Sequence, residues 1–375
     1  MARSPRSRFA ATVAAAVAVL LATVLLGSQP AAAVGPQQQQ LTGFADLVPG
    51  QDGAGVIVAV LDTGVDLDHP ALAGRLEQGW DFVDSDDSAD DPNGHGTHVA
   101  GIVAGEPDAG GGGLAQGTTI MPVRVLDEDG NGDLTIIAEG IRWAANHGAT
   151  VINLSLGDSG RLDRIRKSGP VAAAIREVSD RAVVVVSAGN DSQFEQIFRA
   201  DVPALVVVAV DDQGQPAPFT NVGDVRAVAA PGVDVVSAAP AEPSTLFPSG
   251  TAGSATLSGT SMAAPFVSAA AAVLLQAGAT PDDVPGLIQS TAQPHTDRRA
   301  GAGLLDIAAA VNELSTATAT PGHASPSHSP TPAAPGQDES EPQAASWQFH
   351  TLAVIGIVAL LLISVVGAVL AIRRR

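Results

Sequence analysis

The chain of 375 residues contains no cysteine at all. Disulfide bonds are therefore excluded, and the stability of any fold it forms has to come from core burial or from bound ions. A domain of this size can bury enough surface to fold without covalent cross-links. By length, the chain can form one large domain or two small ones.

Positively charged side chains are also scarce, with 19 Lys and Arg against 39 Asp and Glu and a net charge of −20. A protein that binds nucleic acid needs the opposite balance, because it has to neutralise phosphate groups. Nucleic acid is therefore excluded as a partner. The acidity fits an extracytoplasmic domain but does not identify a substrate.

The first 33 residues have the three parts of a secretory signal peptide. Residues 1–8 contain three arginines and no acidic residue, residues 9–26 form an apolar run, and Ala31-Ala32-Ala33 provides a small-residue cleavage site. This pattern predicts export and cleavage after Ala33. The alternative is an uncleaved membrane anchor.

The carboxyl-terminal part changes composition twice. Residues 315–350 are rich in Pro, Ser and Thr and poor in large apolar side chains, which predicts a disordered linker. Residues 351–372 are almost wholly apolar and long enough to span a bilayer, so they predict a transmembrane helix rather than a buried core helix. The basic tail, residues 373–375, is then expected in the cytoplasm, with the preceding domain outside the cell membrane.

Between these ends, strand-like and helical stretches alternate, which predicts an α/β fold with a mostly parallel sheet covered on both faces. The strand-like stretches are residues 56–64, 120–126, 150–156, 182–188 and 205–210. The helical stretches are residues 134–147, 171–180, 281–290 (with Thr280 as the N-cap and Pro281 as the first helical residue) and a final helix ending at Leu314.

A small-residue stretch, Gly259-Thr260-Ser261-Met262-Ala263-Ala264-Pro265, precedes an apolar run that favours a helix. It predicts Ser261 at a helix N-terminus, with Pro265 in the first turn, where a missing N–H is tolerated. The free N–H groups and the helix dipole favour negative charge there, as an attacking alkoxide requires. A plain N-cap serine is the alternative.

Two further stretches supply the groups that a serine nucleophile needs. Val56 to Gly64 reads as a buried strand with Asp62 at its carboxyl end, where sites form in open α/β sheets. Asn93-Gly94-His95-Gly96-Thr97-His98 is a glycine-bounded turn that leads into a helix and carries His95. A serine hydroxyl needs a histidine base, which a carboxylate orients and stabilises when it is charged.

These three stretches resemble the Asp, His and Ser motifs of the subtilisin-like serine proteases, peptidase family S8, and they follow that family's chain order. The resemblance covers residues 41–314 and places the peptidase domain at residues 55–314. It implies a three-layer subtilisin-like fold and an endopeptidase. Asp62 is then the orienting carboxylate, His95 the general base and Ser261 the nucleophile. His98 is expected to pack or to hydrogen-bond within its helix.

The resemblance also implies roles for other residues. Val186-Ser187-Ala188-Gly189-Asn190 is similar to the strand end that carries the oxyanion-hole asparagine, here Asn190. Ser155, Leu156 and Gly157 resemble the edge that pairs with an extended polypeptide substrate, with Ala188 and Gly189 completing the pocket wall. Residues 191–201 are shorter than is usual in the family. Thr220 and Asn221 are expected to be structural.

No cofactor is implied for the chemistry, and the metal ligands are unknown. The acidic loop 81–91 can bind structural Ca²⁺ through oxygen ligands or be an ordinary solvated loop, and the latter is favoured. Residues 106–113 offer few oxygen-bearing side chains for calcium. Residues 127–133 lack the final glutamate of an EF-hand loop and are expected to be a turn.

The layout of signal, protease domain, linker and single span resembles the mycosins, the membrane-anchored proteases of type VII secretion. The extension at residues 34–54 leaves no room for a long propeptide, so it either packs on the domain or the domain folds unaided. Two other functions stay open. The chain can be a structural subunit of a membrane secretion complex with little proteolysis, or a module that only binds peptides.

Overall fold

A parallel β-sheet forms the centre of the fold. The strands, in chain order, are β1 (Ile57–Asp62), β2 (Trp80–Asp81), β3 (Thr119–Arg124), β4 (Val151–Leu154), β5 (Val183–Ser187), β6 (Ala204–Val210), β7 (Val228–Pro231), β8 (Val235–Ala238), β9 (Ser254–Leu257) and β10 (Gly303–Leu304). Eight of them form the central sheet in the order β10-β7-β6-β5-β4-β1-β3-β2, and every neighbouring pair is parallel. The other two, β8 and β9, form an antiparallel hairpin.

The computed structural model describes residues 34–156, 169–193, 202–221 and 226–318. The predicted signal peptide and transmembrane helix lie outside these ranges, as do the basic tail, nearly all of the predicted linker and Gly157. Within the described ranges, no helix is long and apolar enough to cross a bilayer.

Helices cover both faces of the sheet. They are α1 (Pro36–Leu41), α2 (His95–Ala104), α3 (Leu134–Asn146), α4 (Pro170–Val178), α5 (Thr260–Gln276), α6 (Asp283–Thr291) and α7 (Ile307–Thr318). Helices α2 and α5 belong to the core on one face, and α3 and α4 belong to the core on the other. The predicted three-layer α/β architecture is therefore confirmed.

Strand β1 shows how the sequence produces two cores. Val58 and Val60 belong to one core and Ala59 and Leu61 to the other, because successive side chains of a strand point to opposite faces. All four are buried, as expected of a strand that is covered on both sides. The chain moves from β1 to β3 on one side and returns to β4 on the other, so the carboxyl end of β1 lies at a topological switch point.

Helix α5 starts earlier than the sequence indicates. It begins at Thr260, after the extended residue Gly259, and Ser261 is its second residue. Pro265 is therefore the sixth residue and lies inside the helix, so its predicted place in the first turn is wrong. Since proline has no N–H, the carbonyl oxygen four positions earlier, that of Ser261, lacks its normal helical donor.

The amino-terminal extension packs on the domain. Val34 is almost completely buried and belongs to the core of α2 and α5. The Gln38 amide donates to the Val233 carbonyl oxygen at 3.2 Å. The Ile307 N–H donates to the Thr42 carbonyl oxygen at 3.0 Å, which joins the extension to the start of α7. Of the two alternatives for this segment, the structure therefore supports packing.

Two helix boundaries differ from the sequence prediction. Helix α6 begins at Asp283 rather than Pro281, because the Asp283 carboxylate accepts hydrogen bonds from the N–H and hydroxyl of Thr280 and closes a turn before the helix. Thr280 is therefore not its N-cap. Helix α7 continues to Thr318, past the predicted domain end at Leu314.

Candidate active site

Asp62 and His95 meet at the carboxyl end of the sheet. Asp62 is the last residue of β1 and has no exposed surface, and His95 is the first residue of α2. The His95 Nδ1 atom lies 2.7 Å from the Asp62 Oδ1 atom, which also accepts the Thr63 N–H at 2.8 Å. A carboxylate in this position holds the imidazole in the tautomer with a proton on Nδ1 and leaves Nε2 free to accept a proton.

The surroundings of His95 raise the pKa of its imidazole. Burial lowers the pKa of its imidazole, but the charge of Asp62, their hydrogen bond and the charge of Asp91 together raise the pKa above the ordinary value of 6.5. This is the direction that a general base needs, because a base is most effective when its pKa is close to the working pH.

Asp91 connects the strand that carries Asp62 with the helix that carries His95. Its Oδ1 accepts the Thr63 hydroxyl at 2.8 Å and the Gly94 N–H at 2.8 Å, and its Oδ2 accepts the hydroxyl and the N–H of Thr97. The Thr63 hydroxyl in turn accepts the Gly96 N–H at 3.1 Å. Asp91 therefore fixes the distance between the two elements. In the sequence, Asp91 is one of several carboxylates of the acidic loop, and nothing there indicates this role.

Ser261 lines the same cavity of about 310 Å³ as His95. The Ser261 hydroxyl donates a hydrogen bond to the Ser155 carbonyl oxygen at 3.2 Å. Among the described residues there is no hydrogen bond between Ser261 and His95. Such contacts are often loose before a substrate binds.

A chain of buried polar groups holds the Ser261 backbone. The Ser155 hydroxyl donates to the Ser261 carbonyl oxygen at 2.8 Å, which replaces the helical donor that Pro265 lacks. The Asn153 amide donates to the Ser155 hydroxyl at 2.9 Å and accepts from Ser268 of α5 at 2.8 Å. Strand β4 is thereby hydrogen-bonded to α5 on both sides of the proline. The sequence did not indicate Asn153 or Ser268.

Asn190 follows β5 and faces the start of α5. Its side-chain oxygen accepts the N–H of Thr260 at 2.9 Å and the hydroxyl at 3.0 Å, so the amide nitrogen points the other way. A Cβ placed on Gly259 would lie 3.4 Å from that nitrogen and 3.7 Å from the Ser261 nitrogen. Two N–H donors, the Asn190 amide and the Ser261 backbone, thus lie within 4 Å of one point next to Gly259.

The comparisons with known proteins agree with this geometry. The subtilase family model matches residues 53–303. Thermitase from Thermoactinomyces vulgaris is 38% identical over 272 residues, covering 72% of this chain and 90% of thermitase. The chain belongs to the subtilase family. Subtilisin BL from Lederbergia lenta is 38% identical over 230 residues, covering 60% of this subtilase and 78% of subtilisin BL.

Solved structures show the same fold. A cold-adapted subtilisin-like serine proteinase has a TM-score of 0.56 and 33% identity, over 68% of this subtilase and 89% of that chain. A protease from Pseudoalteromonas arctica PAMC 21717 has a TM-score of 0.61 and 31% identity, over 75% and 95% of the two chains. The protein is a subtilisin-like serine endopeptidase, a hydrolase whose catalysis needs no cofactor.

The residues that the resemblance assigns to substrate binding lie at the ends of β4 and β5. Ser155 and Leu156 follow β4, and Ala188 and Gly189 follow the paired strand β5. The Gly189 N–H is bound to the Thr260 hydroxyl at 2.9 Å, which ties this wall to α5. Their contact with a substrate stays a prediction. Gly157 lies outside the described residues.

His98 is a packing residue of the subtilase, but its side chain bonds to β9 rather than within its own helix. It is completely buried, and its Nε2 lies 3.1 Å from the Ala255 carbonyl oxygen of β9. Burial lowers its pKa to about 3, so it stays neutral over the ordinary pH range. Thr220 and Asn221 are structural as well. The Thr220 hydroxyl accepts the Ala209 N–H, and the Asn221 side chain accepts the N–H of Asp191, next to Asn190.

The acidic loop is held by an arginine. Arg124 donates to Asp81 at 2.7 Å and to Asp84 at 2.6 Å, and Asp81 also accepts the Val83 N–H. Within the described residues, no group of three or more His, Asp or Glu side chains is arranged to hold a metal ion. Structural calcium stays a prediction. In the turn 127–133, Asp127 accepts N–H groups of its own loop.

Proposed function

We propose that this subtilase cleaves peptide bonds with Ser261 as nucleophile, His95 as general base and Asp62 as the group that orients and stabilises the imidazole. The observation that carries this proposal is the 2.7 Å contact between His95 and the buried Asp62, with His95 and Ser261 lining one cavity. The arrangement is the one that serine nucleophiles require.

The reaction begins when an extended polypeptide binds along Ser155. A main-chain N–H of the substrate takes the Ser155 carbonyl oxygen, which releases the Ser261 hydroxyl to His95. The Ser261 oxygen then bonds to the substrate carbonyl carbon while its proton moves to Nε2 of His95. The carbonyl oxygen becomes an oxyanion, which accepts hydrogen bonds from the Asn190 amide and the Ser261 N–H.

Collapse of this intermediate breaks the carbon–nitrogen bond, and His95 gives its proton to the departing amine. Water then attacks the acyl group on Ser261, and its proton passes to His95 and on to the serine oxygen. Asp62 stabilises the imidazolium in both halves of the reaction and keeps its own charge throughout.

Active-site labelling tests this assignment. A fluorophosphonate probe should label the wild-type protein and leave Ser261→Ala unlabelled. A Ser261→Ala protein with full peptidase activity would overturn it. Asn190→Ala should keep its labelling site but lose about 10²–10³ in kcat, the cost of removing such a donor from subtilisin itself.

For location, we propose an exported enzyme anchored in the cell membrane by residues 351–372, with the protease domain outside and the basic tail in the cytoplasm. The support is the signal-like start, the linker composition and the uncharged apolar run, followed by three arginines. Deletion of residues 351–375 should release active protein into the medium. Retention of the truncated protein in the membrane fraction would contradict the anchor.

The same layout supports a mycosin-like role in a type VII secretion complex. A second candidate is a structural or peptide-binding subunit of such a complex, favoured by one observation, that the Ser261 hydroxyl is bound to Ser155 and not to His95. Strains that carry Ser261→Ala or a deletion of the whole protein separate the two. Loss of secretion in both strains supports proteolysis, whereas normal secretion with Ser261→Ala alone supports the structural role.

A further inference from the structure

The loop between β8 and β9, residues 239–253, lies against the segment that leads into His95. The N–H of Thr245 donates to the Pro92 carbonyl oxygen at 3.0 Å, and the N–H of Leu246 donates to the Asn93 carbonyl oxygen at 3.0 Å. The Ser244 hydroxyl donates to the same Asn93 oxygen at 2.8 Å. We call residues 239–253 the cleft loop, since β9 continues directly to Gly259 and Ser261.

The cleft loop is fixed at its tip and at its base. The Phe247 ring fills the space beside Gly94, where a Cβ would lie 2.8 Å from the ring, and Gly94 has a φ of +104° that favours glycine. At the base, His69 Nε2 lies 3.2 Å from the Ala239 carbonyl oxygen and 3.0 Å from that of Gly253. A loop held in this way presents its side chains in one position.

Leu246 is presented towards the cleft. It is 41% exposed, although it is a large apolar side chain, and it lines the cavity of about 310 Å³ that holds His95 and Ser261. Leu126, which lies two residues after the end of β3, lines the same cavity. The other lining residues are polar or glycine: Thr63, Asn93, Asp129, Gly130, Asn131 and Ser155.

A bare aliphatic side chain beside a reacting serine gains free energy only when something apolar covers it. The cavity also contains His95 and Ser261, so a substrate group that covers Leu246 belongs to a residue close to the bond under attack. A charged side chain would gain nothing from the two leucines and would lose hydration. An acidic one would in addition meet Asp129.

We propose that Leu246 is a specificity-determining residue, which together with Leu126 forms a subsite for an aliphatic substrate side chain close to the cleaved bond. This inference rests on the peptidase function proposed above. It assigns the cleft loop to substrate selection, whereas the triad and Asn190 carry the chemistry.

Internally quenched fluorogenic peptides test the subsite, because they carry amino acids on both sides of the cleaved bond. In a series of such peptides, each of the three positions on either side of that bond is Gly or Leu in turn, and kcat/KM is measured per active site titrated with fluorophosphonate. In the wild type, one position should favour Leu. Leu246→Ala should reduce that Leu-to-Gly ratio about tenfold, since even one missing methylene contact in an apolar pocket changes selectivity at least that much.

A second variant of Leu246 and a matched control at an exposed site complete the test. Leu246→Phe should also lower the ratio, because the larger ring narrows the cavity, and Val48→Ala, an exposed apolar residue of the amino-terminal extension, should leave it unchanged. An unchanged ratio in both Leu246 variants, with normal labelling, would overturn the subsite alone. A wild type that neither labels nor cleaves would overturn the catalytic assignment and the subsite with it.

Discussion

Pro265 leaves the carbonyl oxygen of Ser261 without a donor inside their common helix, and the hydroxyl of Ser155 donates to that oxygen at 2.8 Å. Ser261 is thus attached to the sheet through its own backbone. Strand β4, which ends one residue before Ser155, provides a rigid support for the first turn of the helix. The position of the Ser261 hydroxyl therefore depends on a proline and on a second serine.

Ser155→Ala should destabilise the protein, because it leaves the buried Ser261 carbonyl oxygen unpartnered, at a cost of about 1–3 kcal/mol. Pro265→Ala in the same chain should recover part of that loss, since the new N–H can bond to the same oxygen. Urea denaturation of the two single variants and the double variant, all in a Ser261→Ala chain to prevent self-digestion, gives the coupling free energy. Additive effects of the two substitutions would contradict this relationship.

The acid limb of kcat/KM against pH should have its midpoint above pH 6.5. His95 has to be neutral to act as the base, and its pKa is raised by the charge of Asp62. Asp62→Asn removes that charge, so the limb should move to lower pH while kcat falls by about 10⁴. A wild-type midpoint below 6.5 would show that the carboxylate does not act on this imidazole.

His98 should make the protein sensitive to acid. Its folded pKa of about 3 lies below the ordinary 6.5, so between these values the unfolded chain binds a proton that the folded chain does not. The contribution of His98 to the free energy of unfolding is therefore fully present above pH 6.5. Below pH 6.5 the free energy of unfolding falls by about 1.4 kcal/mol per pH unit. His98→Gln keeps a donor for Ala255 but cannot titrate. Unfolding curves at several pH values should show a shallower acid decline for this variant; an equal decline would assign the effect to other groups.

Gly96→Ala should destabilise the protein and impair catalysis. The added Cβ would lie 2.0 Å from the Gly64 carbonyl oxygen and 3.0 Å from the Asp62 Cβ, so α2 would have to move away from β1. Overpacking of this kind costs about 1–3 kcal/mol. Gly286→Ala is the matched control, since it also lies in a helix but has no atom within 4 Å, and it should be neutral or stabilising. Thermal unfolding and probe labelling of both variants check the prediction; equal behaviour would refute it.

The sequence predicted the elements that have a strong local pattern. The β-branched run that ends at Asp62 and the helix that begins at His95 both occur where they were expected. The residues that hold these groups in register were missed, because Asp91, Asn153 and Ser268 are single polar residues whose partners are distant in the chain. Leu246 was missed for a related reason, since nothing in a loop sequence shows which side chain reaches the cleft.

The bond between Thr42 and Ile307 brings the first and last parts of the domain together. Fraying of either part would break this hydrogen bond, and loss of the amino-terminal part would also expose Val34, which is buried in the core. An exopeptidase that degrades the chain from its amino or carboxyl terminus would reach a segment that is held by this hydrogen bond. In a serine endopeptidase, such a contact should slow stepwise degradation of the folded domain from its termini.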